Sequence, residues 1–594
     1  MKSKLYFGFL LVHFFLVVEI TNAQSDTVVW AWAKSLSATN GIYGHAIAID
    51  PDGSGDIYLA GGFEGTTDFD PGPGTFKLST GSPGDVSIFI AKYDRSGIFI
   101  WAKAMIEEPG SAGSAYSISL DPTGSGTSFI TGRFEGTIDF DPGPNEFNLT
   151  SFGNNDIFVS KLDSAGNFVW AKAMGGPGQD FANSIAQDPG GDGSIYTTGQ
   201  FWGSVDFDPG DDTFNLTSAG NYDVFISKLD GDGNFAWAKR LGDTGIDVGR
   251  AIAFDPEGSG KVYITGQFYG TVDFDPGTDN TDTFYLTSAV FQENFLSKLD
   301  ESGHFLWAKQ MGRVNLGPFD RYGSIALDPA GSGEVYVTGP FIGTGDFDPG
   351  DGIDSLTSKG DLDIFISKFT EDGEFKWAAA IGGPLKDECI DIAIAIDDEG
   401  NRNVVTLGMF KGTADFDPGP DSFKLTAEGE LDLFISNLDS DGNFLWVKEV
   451  KGAANAYGQC LVADNQSAYA SGAFFGTAIS FDSTTLTNVG ISEPDLFMAK
   501  LDFIVATNDL DAEVQKMNLY PNPATNELTI EVKGGELFNV DISLYNLLGE
   551  VVYFIPNTSI VQRKTIDIST LPTGIYFTEL KIDGNSMVRM LVKE

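Results

Sequence analysis

Two cysteines, Cys389 and Cys460, and three histidines, His13, His45 and His304, are all that the 594 residues contain. That scarcity excludes a cysteine framework, haem ligation and histidine-rich zinc sites. Positive charge is equally short: 36 Lys and Arg stand against 84 Asp and Glu, a net of −48. So acidic a chain is excluded as an electrostatic nucleic-acid binder. Long apolar runs are missing except at the start. There Lys2 and Lys4, an apolar run from Leu5 to Val18 and the small-residue site Thr21-Asn22-Ala23 predict a secretory leader over residues 1–23. The run is interrupted by His13 and falls short of the roughly 20 residues a membrane span requires. No transmembrane segment is expected after cleavage. With 42% hydrophobic and 13% aromatic residues, the chain still has material for a large buried core, and its charge does not signal disorder.

What is present in abundance is repetition. Trp32, Trp101, Trp170, Trp237, Trp307, Trp377 and Trp446 stand 69, 69, 67, 70, 70 and 69 residues apart. Each marks one copy of a single unit. Within a unit, segments such as Ala251-Ile-Ala-Phe-Asp255, a turn such as Asp255-Pro-Glu-Gly-Ser-Gly260 and a run such as Val262-Tyr-Ile-Thr-Gly-Gln-Phe268 predict one hairpin. After a Thr-x-Asp-Phe-Asp-Pro-Gly insertion, Asp223 to Asp230 turns through Gly231-Asp-Gly233 into Asn234 to Lys239, which predicts a second. Alternation sets Phe225, Ser227 and Leu229 on one face of that strand and Val224, Ile226 and Lys228 on the other. Four strands per unit and seven units describe an all-β protein, a seven-bladed β-propeller over residues 24–503.

Closure of the ring is legible too. The last unit ends at Asp495 to Asp502 without its Trp-Ala-Lys strand, while Val28 to Lys34 precedes the first unit without a partner. Pairing the two completes the seventh blade and leaves no open sheet edge. The units resemble the SBBP family of β-propeller repeats through their Ala-Ile-Ala-x-Asp, x-Tyr-x-Thr-Gly-x-Phe and Asp-x-Phe-x-Ser-Lys-Leu-Asp-x-x-Gly-Asn-Phe-x-Trp segments, over about Val28 to Asp502. That resemblance implies a propeller and almost nothing about chemistry.

A linker is expected over residues 504–513 and a second domain over 514–594. From Val514 to Glu594 seven Lys or Arg face nine Asp or Glu, so nearly all the acidity belongs to the propeller. Leu519 to Ile530, Val540 to Gly549 and Leu571 to Phe577 carry an alternating apolar pattern, which predicts a small antiparallel, Ig-like sandwich. Its Tyr520-Pro-Asn-Pro523 opening, Gly574-Ile-Tyr576 core and closing Met587 to Glu594 strand resemble the type A C-terminal sorting domain of the type IX (Por) secretion system of Bacteroidota. The resemblance implies Sec export followed by outer-membrane passage, with that secretion machinery as a partner and an extracellular or outer-membrane-surface location. Family members are trimmed there and either attached to surface lipopolysaccharide or released.

The strand order puts the Asp-Pro-x-Gly-Ser-Gly and Asp-x-x-Gly-Asn turns on one face of the ring. The Asp-Phe-Asp-Pro-Gly insertions and the loops after Trp-Ala-Lys share the other. Those loops differ between copies, as in Ser35 to Tyr43, Ala104 to Ala115 and Gln310 to Tyr322, and variable loops on a rigid scaffold are where specificity resides. Six insertions supply carboxylate pairs: Asp68 and Asp70, Asp139 and Asp141, Asp206 and Asp208, Asp273 and Asp275, Asp346 and Asp348, and Asp415 and Asp417; the seventh keeps only Asp482. Residues at i and i+2 of extended chain point the same way, so each pair is a candidate calcium site. The competing reading is a tight Asp-Pro-Gly turn whose carboxylates accept backbone N–H groups. Asp50-Pro-Asp-Gly-Ser-Gly-Asp56 has calcium-loop spacing, and a hairpin turn explains it better.

Catalysis is the other class to weigh. Carboxylate pairs serve glycoside hydrolases, but these need two unlike environments, and six copies of one motif supply equivalent ones. No Ser/His/Asp arrangement is readable: His45 is isolated, and His304 replaces an Asn at a hairpin turn. Cys389 and Cys460 are not equivalent positions, and two buried thiols are expected rather than a disulfide. The repeated tryptophans read as packing between blades; only the unmatched Trp202 suits glycan stacking. The expectation is therefore a monomeric, exported, non-enzymatic binding or adhesion scaffold. It takes an unknown protein or glycan on the variable-loop face, with no nucleic acid and at most calcium as cofactor. The alternative is a propeller carbohydrate-active enzyme, for which Lys386 to Asp391 and Arg313 to Arg321 are the only departures from the repeat.

Overall fold

The computed structural model describes residues 28–503 and 517–593, apart from 83, 191, 276, 278–282, 289–290, 315–316, 318–321, 398–399, 453–454 and 489–492 in the first span and 521–522, 533–537, 547–550, 561–562 and 583–584 in the second. The leader over 1–23 and the linker over 504–513 lie outside the described residues. The chain divides into two compact units, one through Phe503 and one from Ile504.

The first unit holds seven four-stranded antiparallel blades, with small two-stranded hairpins besides. Five of the blades are separate sheets, and the first two merge into one larger sheet in which a parallel bridge from Val86 to Ala112 joins them. In the fourth blade, Val248–Phe254 lies innermost, followed by Val262–Phe268, Gln292–Leu299 and Phe305–Val314. The other blades repeat that order, and each inner strand touches the next around the ring, with Asn455–Ala463 meeting Ile42–Ile49. The first strand of the chain, Val28–Leu36, pairs antiparallel with the last propeller strand, Asp495–Phe503, in the register Val29 to Asp502 and Lys34 to Met498. The seventh blade thus joins the two ends of the propeller chain and the ring is closed.

Period-two alternation makes the blades stack. Val224 and Ile226 pack with Ile252, Ile264 and Phe268 of the following blade. Phe225 and Leu229 turn the other way, onto Ile157, Val159 and Met174 of the preceding one. Every blade therefore buries both faces, which is why these strands read as nearly continuous apolar runs.

The period-marking tryptophans do more than fill space. They sit on outer strands, and five of them, Trp32, Trp170, Trp237, Trp307 and Trp377, donate the indole N–H across to the next blade, as Trp237 Nε1 does to Glu301 O at 3.2 Å, Trp307 Nε1 to Glu371 O at 3.1 Å and Trp377 Nε1 to Ser440 O at 3.0 Å. The lysine of Ser-Lys-Leu reaches the same carbonyls, as Lys298 Nζ does to Glu371 O at 2.9 Å, and lies over the ring of Tyr263, which itself packs against Trp307. The receiving turn needs glycine. Gly303 has φ +77°, and a Cβ there would stand 3.1 Å from Trp237.

The second unit holds two sheets. One orders Met517–Tyr520, Glu527–Val532 and Arg563–Asp567; the other orders Val551–Ile560, Phe538–Tyr545, Gly574–Ile582 and Asn585–Lys593. Leu528, Ile530 and Ile566 of the first share a core with Ile542, Leu544, Tyr576 and Leu591 of the second, an arrangement compatible with the expected sandwich.

Candidate functional site

The six aspartate pairs sit on small hairpins that follow the second strand of each blade, such as Thr137–Asp139 with Asn148–Thr150. In every copy the phenylalanine between the two aspartates is buried, as Phe140 and Phe207 are at 0% exposure, which turns both carboxylates outward. The first then accepts two backbone N–H groups and the second accepts one. Asp139 Oδ1 takes Asp141 N at 3.0 Å and Phe147 N at 2.8 Å, and Asp141 Oδ1 takes Gly143 N at 2.8 Å. Asp206 with Asp208 and Asp346 with Asp348 repeat this at 2.8–3.1 Å. Asp68 with Asp70, Asp273 with Asp275 and Asp415 with Asp417 follow the same scheme. Among the described residues no three His, Cys, Asp or Glu side chains gather as a metal site, so a cation here would have to combine a pair with backbone carbonyls.

At the other loop with calcium-like spacing, a lysine occupies the centre: Lys92 Nζ lies 3.1 Å from Asp50 Oδ2 and 3.0 Å from Asp56 Oδ2. His304 stands in for asparagine at its turn, Nδ1 3.0 Å from Asp300 Oδ2, as Asn234 Nδ2 stands 2.9 Å from Asp230 Oδ2. Cys389 and Cys460 are buried free thiols, not joined in a disulfide, each directed at a backbone carbonyl, and burial pushes Cys389 up to about 12.

The expected shared face is seen directly. Outer strands and the loops after them bridge to the hairpins of the next blade, Ala38 to Thr67, Gly175 to Asp206, Gly382 to Asp415 and Lys451 to Ser480. Trp202 stands on this face 47% exposed, its ring 6.4 Å from Tyr222, whose hydroxyl meets Gln179 Oε1 at 2.8 Å. Beneath it Asp180 accepts the N–H groups of Gly176 and Trp202, both at 3.1 Å, while burial pushes its carboxyl up to about 7.

A constellation that the repeat analysis passed over lines the central channel. In six of the seven inner strands the register slips by one residue at the same place: at His45, Tyr116, Asn183, Arg250, Ile390 and Gln459. Gly323, with φ +106°, takes the seventh position just ahead of Ser324–Leu327. Such a bulge inserts an unpaired residue and re-aims its side chain. The residue after it is held for the fold: Ser117 Oγ and Ser184 Oγ accept the N–H groups of Ile185 and Ile252 in the next blade at 3.2 Å, and Asp391 Oδ2 accepts Leu461 N at 2.8 Å. Burial pushes the Asp391 carboxyl up to about 6. The bulge residue itself has a different identity in every blade. The sequence did hold the signal, because six of the seven stand five residues before the Asp that ends the inner strand, as His45 does before Asp50 and Arg250 before Asp255.

Where this channel opens on the loop face, Tyr43, His45, Tyr322, Met409, Tyr457 and Phe475 surround a cavity of about 380 Å³. Tyr43 stacks on His45 at 5.8 Å and 8°, His45 meets Tyr116 edge-on at 5.4 Å, and Tyr457 meets Phe475 at 5.6 Å. From Tyr116 the cluster continues outward. Arg133 donates Nε–H to the Tyr116 hydroxyl and lies over Phe181 at 5.8 Å, and Phe181 stands 6.5 Å from Tyr222. Through the buried Phe181 and the Arg133 side chain, an aromatic belt thus links Trp202 to the channel mouth.

Closed four-stranded blades around a channel with an aromatic mouth define the first unit as a seven-bladed β-propeller with a cavity at the channel mouth. Residues 518–594 match the family described as secretion system C-terminal sorting domain. That domain marks the protein as exported by type IX secretion to the cell surface or extracellular space, and it implies contact with that machinery. The chain is also 25% identical over 411 residues to an uncharacterized WD repeat-containing protein, L264, of Acanthamoeba polyphaga mimivirus, covering 60% of this chain and 29% of that relative. It is 27% identical over 127 residues to the regulatory protein FlaEY of Caulobacter vibrioides, covering 21% of this chain and 13% of FlaEY. The chain thus spans less than a third of either relative. Among solved structures, Sqt1 from Chaetomium thermophilum aligns with a TM-score of 0.34 at 12% identity, over 73% of this chain and 94% of that one.

Proposed function

We propose that the protein is an exported, non-enzymatic binding scaffold whose recognition site is the channel mouth and the loop face around it. One observation carries this reading. In a ring whose framework residues repeat from blade to blade, the bulge position facing the channel holds His45, Tyr116, Asn183, Arg250, Gly323, Ile390 and Gln459, seven different residues at a place the fold treats as equivalent. Packing explains repetition; it does not explain seven different residues at one position of a rigid wall, which is how a scaffold carries specificity. The aspartate pairs of the insertions support binding over hydrolysis by lying in six like environments with their Oδ1 atoms given to backbone N–H groups.

The test passes macromolecules from culture medium over the immobilised mature protein and records retained mass by interferometry. Retention is expected to fall at least tenfold in Tyr43→Ala/Tyr457→Ala, with eluted material of unchanged chain length. Equal retention by the variant, or shortened chains in the eluate, would overturn the reading.

A further inference from the structure

We propose that the occupant of the channel mouth is a neutral glycan, its sugar rings laid on the aromatic belt that leads from Trp202 to Tyr43; this rests on the binding role proposed above and names its ligand class. A cavity of about 380 Å³ falls within the roughly 300–1,000 Å³ of small-ligand pockets, whereas a stable protein partner needs about 800 Å² of surface on each side.

Chemistry narrows the class. The walls alternate two kinds of group. Tyr43, Tyr457 and Phe475 line the mouth with aromatic rings, and His45 and Gln459 line it with imidazole and amide groups. Below the mouth, Asn183 and Arg250 continue the polar wall, Asn183 Nδ2 donating to Gln200 Oε1 at 2.6 Å and Arg250 Nε to Gln267 Oε1 at 2.6 Å. A ligand matching that alternation has an apolar face and a polar rim on each of its units, as a pyranose does, with C–H groups against aromatic faces and hydroxyls toward amide and imidazole atoms. A purely apolar ligand would leave Gln459 Oε1, a buried acceptor with no hydrogen-bond partner among the described residues, unpaired at a desolvation cost.

The belt sets the form of the ligand. Two accessible ring clusters, Trp202 with Tyr222 at 6.4 Å and Tyr116 with His45 at 5.4 Å, recur on the scale of one monosaccharide unit, and the buried Phe181 with Arg133 above it ties them together from below. A chain anchored at the mouth can therefore run outward over blades two and three to the exposed Trp202. Charge excludes the alternatives. Single-stranded nucleic acids also stack on aromatic rows but need a positive groove, and uronate or sulfated glycans carry the same sign as a molecule of net charge −48.

The test is calorimetry of the mature protein with neutral hexasaccharides of β-1,4-glucose, β-1,4-xylose, β-1,4-N-acetylglucosamine and α-1,4-glucose, against hexagalacturonate, each at millimolar concentration. At least one neutral hexamer is expected to bind and hexagalacturonate is not. Tyr457→Ala is expected to weaken the hexamer at least tenfold, and Trp202→Ala to weaken the hexamer several-fold while leaving the matching disaccharide unchanged. Tyr43→Ala, at a residue 37% exposed, serves where Tyr457→Ala does not melt like the parent. Silence from all four neutral sugars overturns the glycan assignment; if the medium-retention difference persists, the scaffold reading stands without it, and if that difference is lost too, both fall. Equal binding of hexagalacturonate, or full affinity in both mouth variants, also overturns it.

Discussion

At the scale of single residues, the same aspartate serves opposite ends depending on what surrounds it. Asp206 is part-buried and takes N–H groups from Asp208 and Phe214; hydrogen bonds to a charged acceptor contribute about 1.5–3 kcal/mol each. Asp206→Ala should therefore lower the melting temperature by a few degrees, and Asp206→Asn by less, in differential scanning fluorimetry. Because each Oδ1 is already given to the backbone, calcium is expected to release no stoichiometric heat in calorimetry, and the melt to be indifferent to chelator. Several ions bound per chain with a chelator-sensitive melt would instead make the hairpins a calcium-stabilised rim.

At the scale of elements, the ring depends on one strand from the far end of the chain. Val28–Leu36 pairs with Asp495–Phe503 along its length, and Val28 joins the core of blades six and seven with Leu433, Phe497 and Leu501. Deleting it bares a long, apolar sheet edge, the feature that templates pairing between chains. The truncated protein is expected to elute from size-exclusion as oligomers and to melt well below the parent; a monodisperse product with an unchanged melt would show that closure is dispensable. Elsewhere the join between blades is polar as well as apolar, Trp307 and Lys298 both ending on Glu371 O, so adjacent blades are held in register as well as in contact.

At the scale of the molecule, buried carboxylates set the response to pH. Burial raises Asp156, Asp180, Asp247 and Asp387 to about 7 and Asp363 to about 6. The folded protein keeps protons there that the unfolded chain has released, so this stability is present below the ordinary value near 3.8 and is lost as pH rises through about 7. Asp163, Asp230 and Asp439 act oppositely. Their partial burial is outweighed by hydrogen bonds from Asn167, Asn234 and Asn443, which hold them below the ordinary value, so their contribution is lost in acid. The melting temperature is therefore expected to peak near pH 4–5 and to be several degrees lower at pH 8, with Asp180→Asn shrinking that difference; a melt rising from pH 5 to 8 would contradict it. Export belongs to the same scale. Removing residues 518–594 should leave the protein cell-associated and absent from surface and medium fractions, as read by protease accessibility on whole cells.

Seven tryptophans at intervals of 67–70 residues, strand alternation and an unpaired strand at each end determine the blades, their number and the closure from the sequence alone. The sorting domain was legible in its Tyr520-Pro-Asn-Pro523 and Gly574-Ile-Tyr576 segments. These features are local or periodic, and a backbone rule with a fixed period writes itself into the order of residues. What only the tertiary structure decided was the site. His45 reads as an isolated histidine along the chain, and it became a channel residue because a bulge slips the register between Gly44 and Ala46 and because ring closure sets the first blade beside the seventh. Tyr43 and Tyr457 are 414 residues apart in sequence and line one cavity for the same reason: a ring makes neighbours of its ends, and no spacing along the chain records which side chains then face each other.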